Sequence, residues 1–313
     1  MGLKNLTTPA EFILLGVTRQ QELQLPLFGL FLFIYLVTVV GNLGMIVLTQ
    51  VDPHLQTPMY FFIKHLAFID LGNSTVICPK MLVNFVVDTN IISYYACAMQ
   101  LAFFLMFIIS EFFILSTMAY DRYVAICNPL LYNVIMSPRR CHLLVGIPYF
   151  YSTFQALLFT IKIFMLHFCG PNIINHFYCD DVPLLPMLCS DSQEIELLII
   201  LFSALNLISS LLVILLSYTL ILLAICRMHS AEGRKKAFST CGSHLTVVMV
   251  FYGSLLFMYL QPKSAHSFET DKMASVFYTL VIPMLNPLIY SVRNKQVKNA
   301  FHRVFKNQYN LCP

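Results

Sequence analysis

Met118-Ala-Tyr-Asp-Arg-Tyr-Val-Ala-Ile-Cys127 closes an apolar run that begins near Ala96. The adjacent charges Asp121 and Arg122 therefore fall where an apolar helix would leave a bilayer. A charge at the centre of a membrane is costly, whereas one at the boundary is held or released with modest free energy. Taken alone, Asp-Arg-Tyr is equally a chance charged triplet at a helix end. Its meaning depends on what surrounds it.

Of the 313 residues, 58% are hydrophobic and 11% charged, and the mean hydropathy is +0.74, outside the range of a soluble domain. A helical crossing needs about 20 consecutive apolar residues. Seven runs meet this description: Leu25–Gln50, Met59–Val83, Ala96–Tyr120, His142–Leu166, Leu197–Cys226, Phe238–Leu260 and Met273–Ser291. The expected fold is an all-α membrane protein, a seven-transmembrane helix bundle with a short amphipathic eighth helix. Residues 1–24 would be an extracellular tail, 25–292 the transmembrane domain, and 293–313 the amphipathic helix and cytoplasmic tail.

Charge sets the expected orientation. Lys4, Glu11, Arg19 and Glu22 precede the first run, which is long enough to act as an uncleaved anchor. One set of gaps carries Arg122, Arg139, Arg140, Arg227, Arg234, Lys235, Lys236, Arg293, Lys295, Lys298, Arg303 and Lys306. The other holds fewer cations among acids such as Asp180, Asp181, Asp191, Glu194 and Glu196. The basic side is expected to be cytoplasmic and the amino terminus outside. Basic residues spread over three loops report topology rather than nucleic-acid binding.

The ten cysteines divide by side. Cys97, Cys169, Cys179 and Cys189 fall outside, where disulfides persist. Four cysteines allow three pairings; we favour Cys97–Cys179, tying the third run to the long loop, and Cys169–Cys189, closing that loop on itself. Asn5-Leu6-Thr7 is an outer glycosylation sequon. Asn73-Ser74-Thr75 matches too, but within a span.

Asn42, Asp70, Glu111 and Asn286 lie inside apolar runs. Glu111 is eleven residues outward from Arg122 and Asp70 eleven inward from Met59, so both carboxylates sit roughly 17 Å deep. Two such carboxylates repel unless a proton or a cation compensates. A shared polar site over Asn42, Asp70 and Glu111, with possible Na⁺, is one reading; local hydrogen bonds that pin helix packing are the other. The last run ends Pro283-Met-Leu-Asn-Pro-Leu-Ile-Tyr290. Pro287 removes a helix hydrogen bond and favours a kink, and Asn286 beside it is expected to satisfy part of the freed backbone. Beyond it, Val297, Phe301, Val304 and Phe305 share a helical face, as in an amphipathic helix on the inner membrane surface.

Gly41-Asn42, Pro58-Met-Tyr-Phe-Phe62, Met118–Cys127, Ser217-Tyr218, Lys236-Ala-Phe-Ser-Thr-Cys241 with Ser243-His244, and Pro283–Tyr290 together resemble an olfactory receptor of the rhodopsin-like G-protein-coupled receptors. The resemblance runs from about Phe12 to Val304, and the acidic loop with His176-Phe-Tyr-Cys-Asp180 is similar to the tetrapod-type (class II) branch. It implies an activation switch of Asp121, Arg122, Tyr123, Tyr218, His244, Asn286, Pro287 and Tyr290. In it Arg122 engages the G protein when the sixth helix swings out, and Tyr218 and Tyr290 close behind. It also implies a stimulatory (olfactory) G protein, cAMP, and the plasma membrane of olfactory cilia. The chain has no Trp; Tyr252 in Phe251-Tyr252-Gly253 stands where other receptors carry a Trp-Pro toggle.

Helix geometry plus this analogy places a ligand among Phe104, Leu105, Ile108, Ile109, Phe202, Asn206, Tyr252, Leu255, Leu256, Tyr259, Val276 and Thr279. The lining is apolar, which suits a small, volatile, mostly hydrophobic odorant; any one of these residues is equally an interhelix contact. Phe104 stands where amine receptors hold an Asp, which disfavours protonated amines. An enzyme reading lacks its machinery: no metal-spaced His/Cys cluster and no Gly-rich phosphate loop. No Lys lies in Met273–Tyr290 for a retinal linkage, and no repeat symmetry suggests a transporter.

Overall fold

The computed structural model of the chain describes residues 10–87, 90–169, 171–189, 193–259 and 268–309. Asn5 and the side chain of Tyr259 lie outside the described residues. Eight helices organise the described residues: α1 (Gln21–Val51), α2 (Pro58–Val86), α3 (Tyr94–Cys127), α4 (Pro138–Met165), α5 (Gln193–Arg227), α6 (Ala231–Tyr259), α7 and α8 (Lys295–Tyr309). Helix α7 is composite: Phe268–Val276, a π-helical turn Phe277–Val281, and Ile282–Arg293. Short single turns, Tyr132–Ile135 and Asp181–Leu184 among them, lie in the connections.

The 31 residues of α1 extend roughly 46 Å, more than a hydrocarbon core of about 30 Å requires. Among the described residues, six helices are long and apolar enough to cross a membrane, and α6 carries a shorter apolar stretch, Cys241–Leu256, after charged first turns with Glu232, Arg234 and Lys235. Helix α3 is the central element. In its most apolar stretch 67% of the residues are buried, against 22% in α5, so α3 packs among its neighbours while α5 presents most of its surface outward. The exposed faces of α1, α4 and α5 carry Leu, Ile, Phe and Val, as a lipid-facing surface should.

Small residues set the close approaches. A Cβ on Gly72 would lie 2.2 Å from the ring of Phe107, so α2 and α3 touch there only because position 72 has no side chain. Gly41 similarly admits the ring of Pro287, 3.0 Å from where its Cβ would be. Prolines sit inside α1, α2 and α4 at Pro26, Pro79 and Pro148. Neighbouring helices can re-satisfy the carbonyls they release.

One end of the bundle carries a small sheet in the order β2-β1-β3, comprising β1 (Glu11–Leu14), β2 (Ile91–Ser93) and β3 (Ile173–Ile174). β1 runs antiparallel to β2, with Phe12 opposite Ile92, and parallel to β3, with Leu14 opposite Ile174. Phe12 and Leu14 are fully buried, so the tail before α1 is stitched to two interhelical loops. Strands this short leave no readable period in the sequence. At the opposite, basic end, α8 buries Val297 and Ala300 and exposes its charged side.

Candidate functional site: a buried polar column ending at Asp121 and Arg122

At the basic end of α3, Asp121 and Arg122 are both buried. The guanidinium folds back on its neighbour: Nε donates to Asp121 Oδ2 at 3.1 Å, and Nη2 bonds the same oxygen. The other carboxylate oxygen accepts from the hydroxyl of Tyr132 at 2.8 Å. Burial, then the charge of Asp121, push that hydroxyl far above its ordinary range, so Tyr132 stays a donor. Tyr123 packs with Tyr218 against Ile221, Ile225, Ala237 and Cys241 of α5 and α6. Tyr218 Oη lies 2.7 Å from His244 Nδ1, and His244 Nε2 lies 3.1 Å from the carbonyl of Leu115. Tyr290 is fully buried, and its hydroxyl has no hydrogen-bond partner among the described residues.

Midway along the bundle, Asn286 Nδ2 donates to both oxygens of Asp70, at 3.2 and 3.0 Å. The carbonyl freed by Pro287 is that of Pro283, four residues earlier, and Asn42 Nδ2 donates to it at 2.9 Å. The expectation that Asn286 serves this carbonyl is therefore corrected: Asn42 does so from α1, because Gly41 lets the two helices meet there. Asn42, Asp70, Asn286, Pro287 and Tyr290 line a cavity of about 10 Å³, at the lower bound for a single water. Glu111 is fully buried on α3, and among the described residues neither of its carboxylate oxygens has a hydrogen-bond partner.

The twelve residues proposed as ligand lining divide into groups. Phe104, Leu105, Ile109, Leu255 and Val276 are buried and Ile108 partly so. The ring of Phe104 meets Tyr178 edge-on at 5.1 Å and lies 6.4 Å from Tyr278. Tyr252 donates to Ser210 on α5 at 2.8 Å, and Thr279 donates to the Ser275 carbonyl of its own helix at 2.6 Å. The side chain of Asn206 turns toward α4. Its Oδ1 accepts from Tyr151 at 2.9 Å and its Nδ2 donates to Gln155 at 3.1 Å, so its amide is consumed by α4. Phe202 also turns to α4, its ring 5.5 Å from Phe159. Leu256 is 38% exposed, on the outward side of α6. A helical wheel without a neighbour assignment cannot separate these faces.

Tyr178 and Tyr278 had no place in the sequence reading of the pocket. Their hydroxyls are 3.0 Å apart, Ser275 Oγ lies 3.0 Å from Tyr278, and Tyr178 donates to Asp180 at 3.1 Å. The signal was the aromatic run at His176–Tyr178, but only the disulfide shows where it lands. Cys97 and Cys179 are joined, with Cα atoms 5.5 Å apart, as are Cys169 and Cys189, at 4.9 Å. Beside the first bridge, Gln100 accepts from the Cys179 amide at 2.9 Å and donates to the Val76 carbonyl at 3.0 Å. The loop is thus pinned over Phe104, beside α7.

The structure is similar to squid rhodopsin, with a TM-score of 0.74 at 20% identity, covering 94% of this chain and 88% of that one. At that identity the likeness shows the fold. In sequence the chain is 79% identical to human olfactory receptor 8K5 over 98% of its own length and all of the relative's. It is 71% identical to human olfactory receptor 8K3, covering 99% of each, and 59% identical to mouse olfactory receptor 8U3, covering 99% of this chain and 97% of that one. Residues 31–308 match the family model described as olfactory receptor. The seven-helix bundle, its Asp121–Arg122 terminus and these matches over nearly the whole length agree: the chain belongs to the olfactory receptor family of rhodopsin-like G-protein-coupled receptors, multi-pass membrane proteins that signal and are not enzymes.

Proposed function

We propose that this receptor binds small, volatile, mostly hydrophobic odorants in the half of the bundle nearer the disulfides and activates a stimulatory (olfactory) G protein, raising cAMP. The amino terminus is outside, Asn5 is glycosylated, and the chain works in the plasma membrane of sensory cilia. The observation that carries this reading is the buried Arg122, clasped by Asp121 at the basic end of α3 beside Tyr218 and Cys241. Releasing that guanidinium exposes a cation on the face where a cytoplasmic partner would dock. Tyr218, His244, Asn286, Pro287 and Tyr290 lie on α5, α6 and α7, the three helices that must move for this to happen. At the other end, Phe104, Leu105, Ile109, Leu255 and Val276 supply an apolar wall, with few donors to anchor a polar ligand.

The residues fit a sodium ion. Among the described residues, the two buried carboxylate oxygens of Glu111 have no partner, and Asp70 accepts only from the amide of Asn286. These are hard oxygen donors on adjacent helices. Bound there, Na⁺ would supply the charge that lets both carboxylates stay ionised, and Asn42 and Asn286 would orient the surrounding polar groups.

The test is a cAMP reporter in cells exposed to a panel of volatile ligands. A response that Arg122→Ala abolishes while surface staining persists supports the coupling. A response that survives in Arg122→Ala refutes it. For the ion, sodium should shift the parent's response and leave Glu111→Gln unaffected; a parent indifferent to sodium sinks the site.

A further inference from the structure

We propose that a groove between the disulfide-proximal ends of α2 and α3 binds a single-chain carboxylate amphiphile, with Lys80 holding the carboxylate. The groove has a volume of about 500 Å³, within the range of small-molecule sites, and shares no residue with the odorant lining. Its walls are apolar, with Val76, Ile92, Met99 and Phe103 among them, and Ser93 lies at its rim. Met99 is 59% and Phe103 45% exposed, so it opens away from the bundle toward lipid.

Lys80 supplies the recognising charge. It lies six residues before the end of α2 at Val86, roughly 9 Å down the helix, within reach of the headgroup level for a side chain that snorkels. Among the described residues it has no ion pair or hydrogen bond; Asp88, the nearest acid in sequence, lies outside them. A lysine at that depth gains from an anion beside it. Gln100 spends one amide N–H on the Val76 carbonyl and its oxygen on the Cys179 amide, which leaves it one neutral N–H to offer. A single cation with only neutral donors beside it matches a monocarboxylate better than a phosphate, which is recognised best by several charged donors together. Anionic phospholipids also concentrate in the cytoplasmic leaflet. This groove lies at the disulfide end, which is outward in the proposed topology; the proposal rests on that orientation.

The site also has a route to the odorant chamber. Gln100 ties the groove wall to the Cys179 amide, and the preceding residue, Tyr178, rests on Phe104. An amphiphile that wedges α2 from α3 would therefore press on the wall a ligand touches.

The experiment uses the full-length receptor in phosphatidylcholine nanodiscs, a palmitic acid probe with a photoreactive tail, and its methyl ester. The acid should label α3 peptides containing Met99 and Phe103. Labelling should fall about fivefold with the ester, and equally in Lys80→Gln, and return in Lys80→Arg. Equal labelling by the ester, or by the acid in Lys80→Gln, would overturn the proposal and leave an apolar seam. Competition by phosphatidylglycerol as strong as by unlabelled palmitate would overturn the carboxylate assignment. Orientation is read separately, by membrane-impermeant labelling of an amino-terminal tag, so its failure is distinguishable from failure of binding.

Discussion

Tyr218 on α5 and His244 on α6 are joined through Oη and Nδ1 at 2.7 Å, while His244 Nε2 lies 3.1 Å from the Leu115 carbonyl of α3. A carbonyl only accepts, so Nε2 carries the proton and Nδ1 accepts from the tyrosine. One neutral imidazole thus ties three helices together at the end where α6 must move. His244→Phe removes both bonds. Two net hydrogen bonds at ~1 kcal/mol each are worth ~2 kcal/mol, about thirtyfold in a two-state balance. Ligand-independent cAMP, normalised to surface receptor, is expected to rise by about that factor. A basal level equal to the parent's would show that this relay does not restrain α6.

Asp52, between α1 and α2, is buried, and its Oδ2 accepts from Arg303 of α8 through Nε at 3.1 Å and Nη2 at 2.6 Å. Oδ1 accepts from the backbone and ring of His54, both at 2.9 Å. Burial pushes the carboxyl up, but the bonds from Arg303 and His54 outweigh it and hold it below its ordinary 3.8. A depressed acid contributes stability above its unfolded value and loses it as pH falls through the folded one. Docking of α8 should therefore be insensitive to pH above about 4 and loosen below it. A fluorophore on α8 of the purified receptor would report this, and Asp52→Asn should be loose at all pH values.

His176, in the loop between α4 and α5, is buried, and its Nδ1 has no partner among the described residues. Burial, then the charge of Lys272, lower its value from 6.5 to about 3. The folded chain refuses a proton that the unfolded chain accepts, so the penalty is absent above pH 6.5 and grows toward pH 3. The slope is ~1.4 kcal/mol per pH unit, or about 2 kcal/mol by pH 5. The half-buried Asp180 and Asp181 are raised and act with the opposite sign, so the comparison must be made against a variant. His176→Gln should lose less melting temperature than the parent between pH 7.5 and 5. Equal losses would remove the histidine from the acid response.

Gly72→Ala would place a methyl 2.2 Å from the Phe107 ring. Overpacking of this kind costs about 1–3 kcal/mol, so surface expression should drop sharply. The double variant with Phe107→Leu should recover part of it. Normal expression of Gly72→Ala alone would mean that α2 and α3 separate more easily than their packing implies.

Much of this was legible in the chain. Apolar runs located the helices, because a bilayer leaves the backbone few ways to satisfy itself. Helix α6 is the instructive case: its run was readable from Phe238 onward, yet the helix begins at Ala231, since charged first turns outside the membrane carry no apolar signal. The candidate site divided differently. Asp70, Glu111, Asn42 and Asn286 stood out as polar residues in apolar runs, but their pairing did not. Asn42 reaches Pro283 across 241 residues, and Asn286 reaches Asp70 across 216. Local spacing holds no record of contacts at that separation.

By itself, the sequence determined seven apolar runs, the side on which the basic residues lie, the family signature at Met118–Cys127, and the depth of each buried polar group. These follow from composition and from rise per residue along a single helix. Only the tertiary structure decided which way each side chain turned: Asn206 and Phe202 to α4, Leu256 outward, Tyr178 over Phe104, and Asn42 to the carbonyl Pro287 leaves free. The reason is rotational. Periodicity says that a helix has faces, but which neighbour a face meets is set by close approaches such as Gly41 on Pro287 and Gly72 on Phe107, and these exist only once the helices are packed.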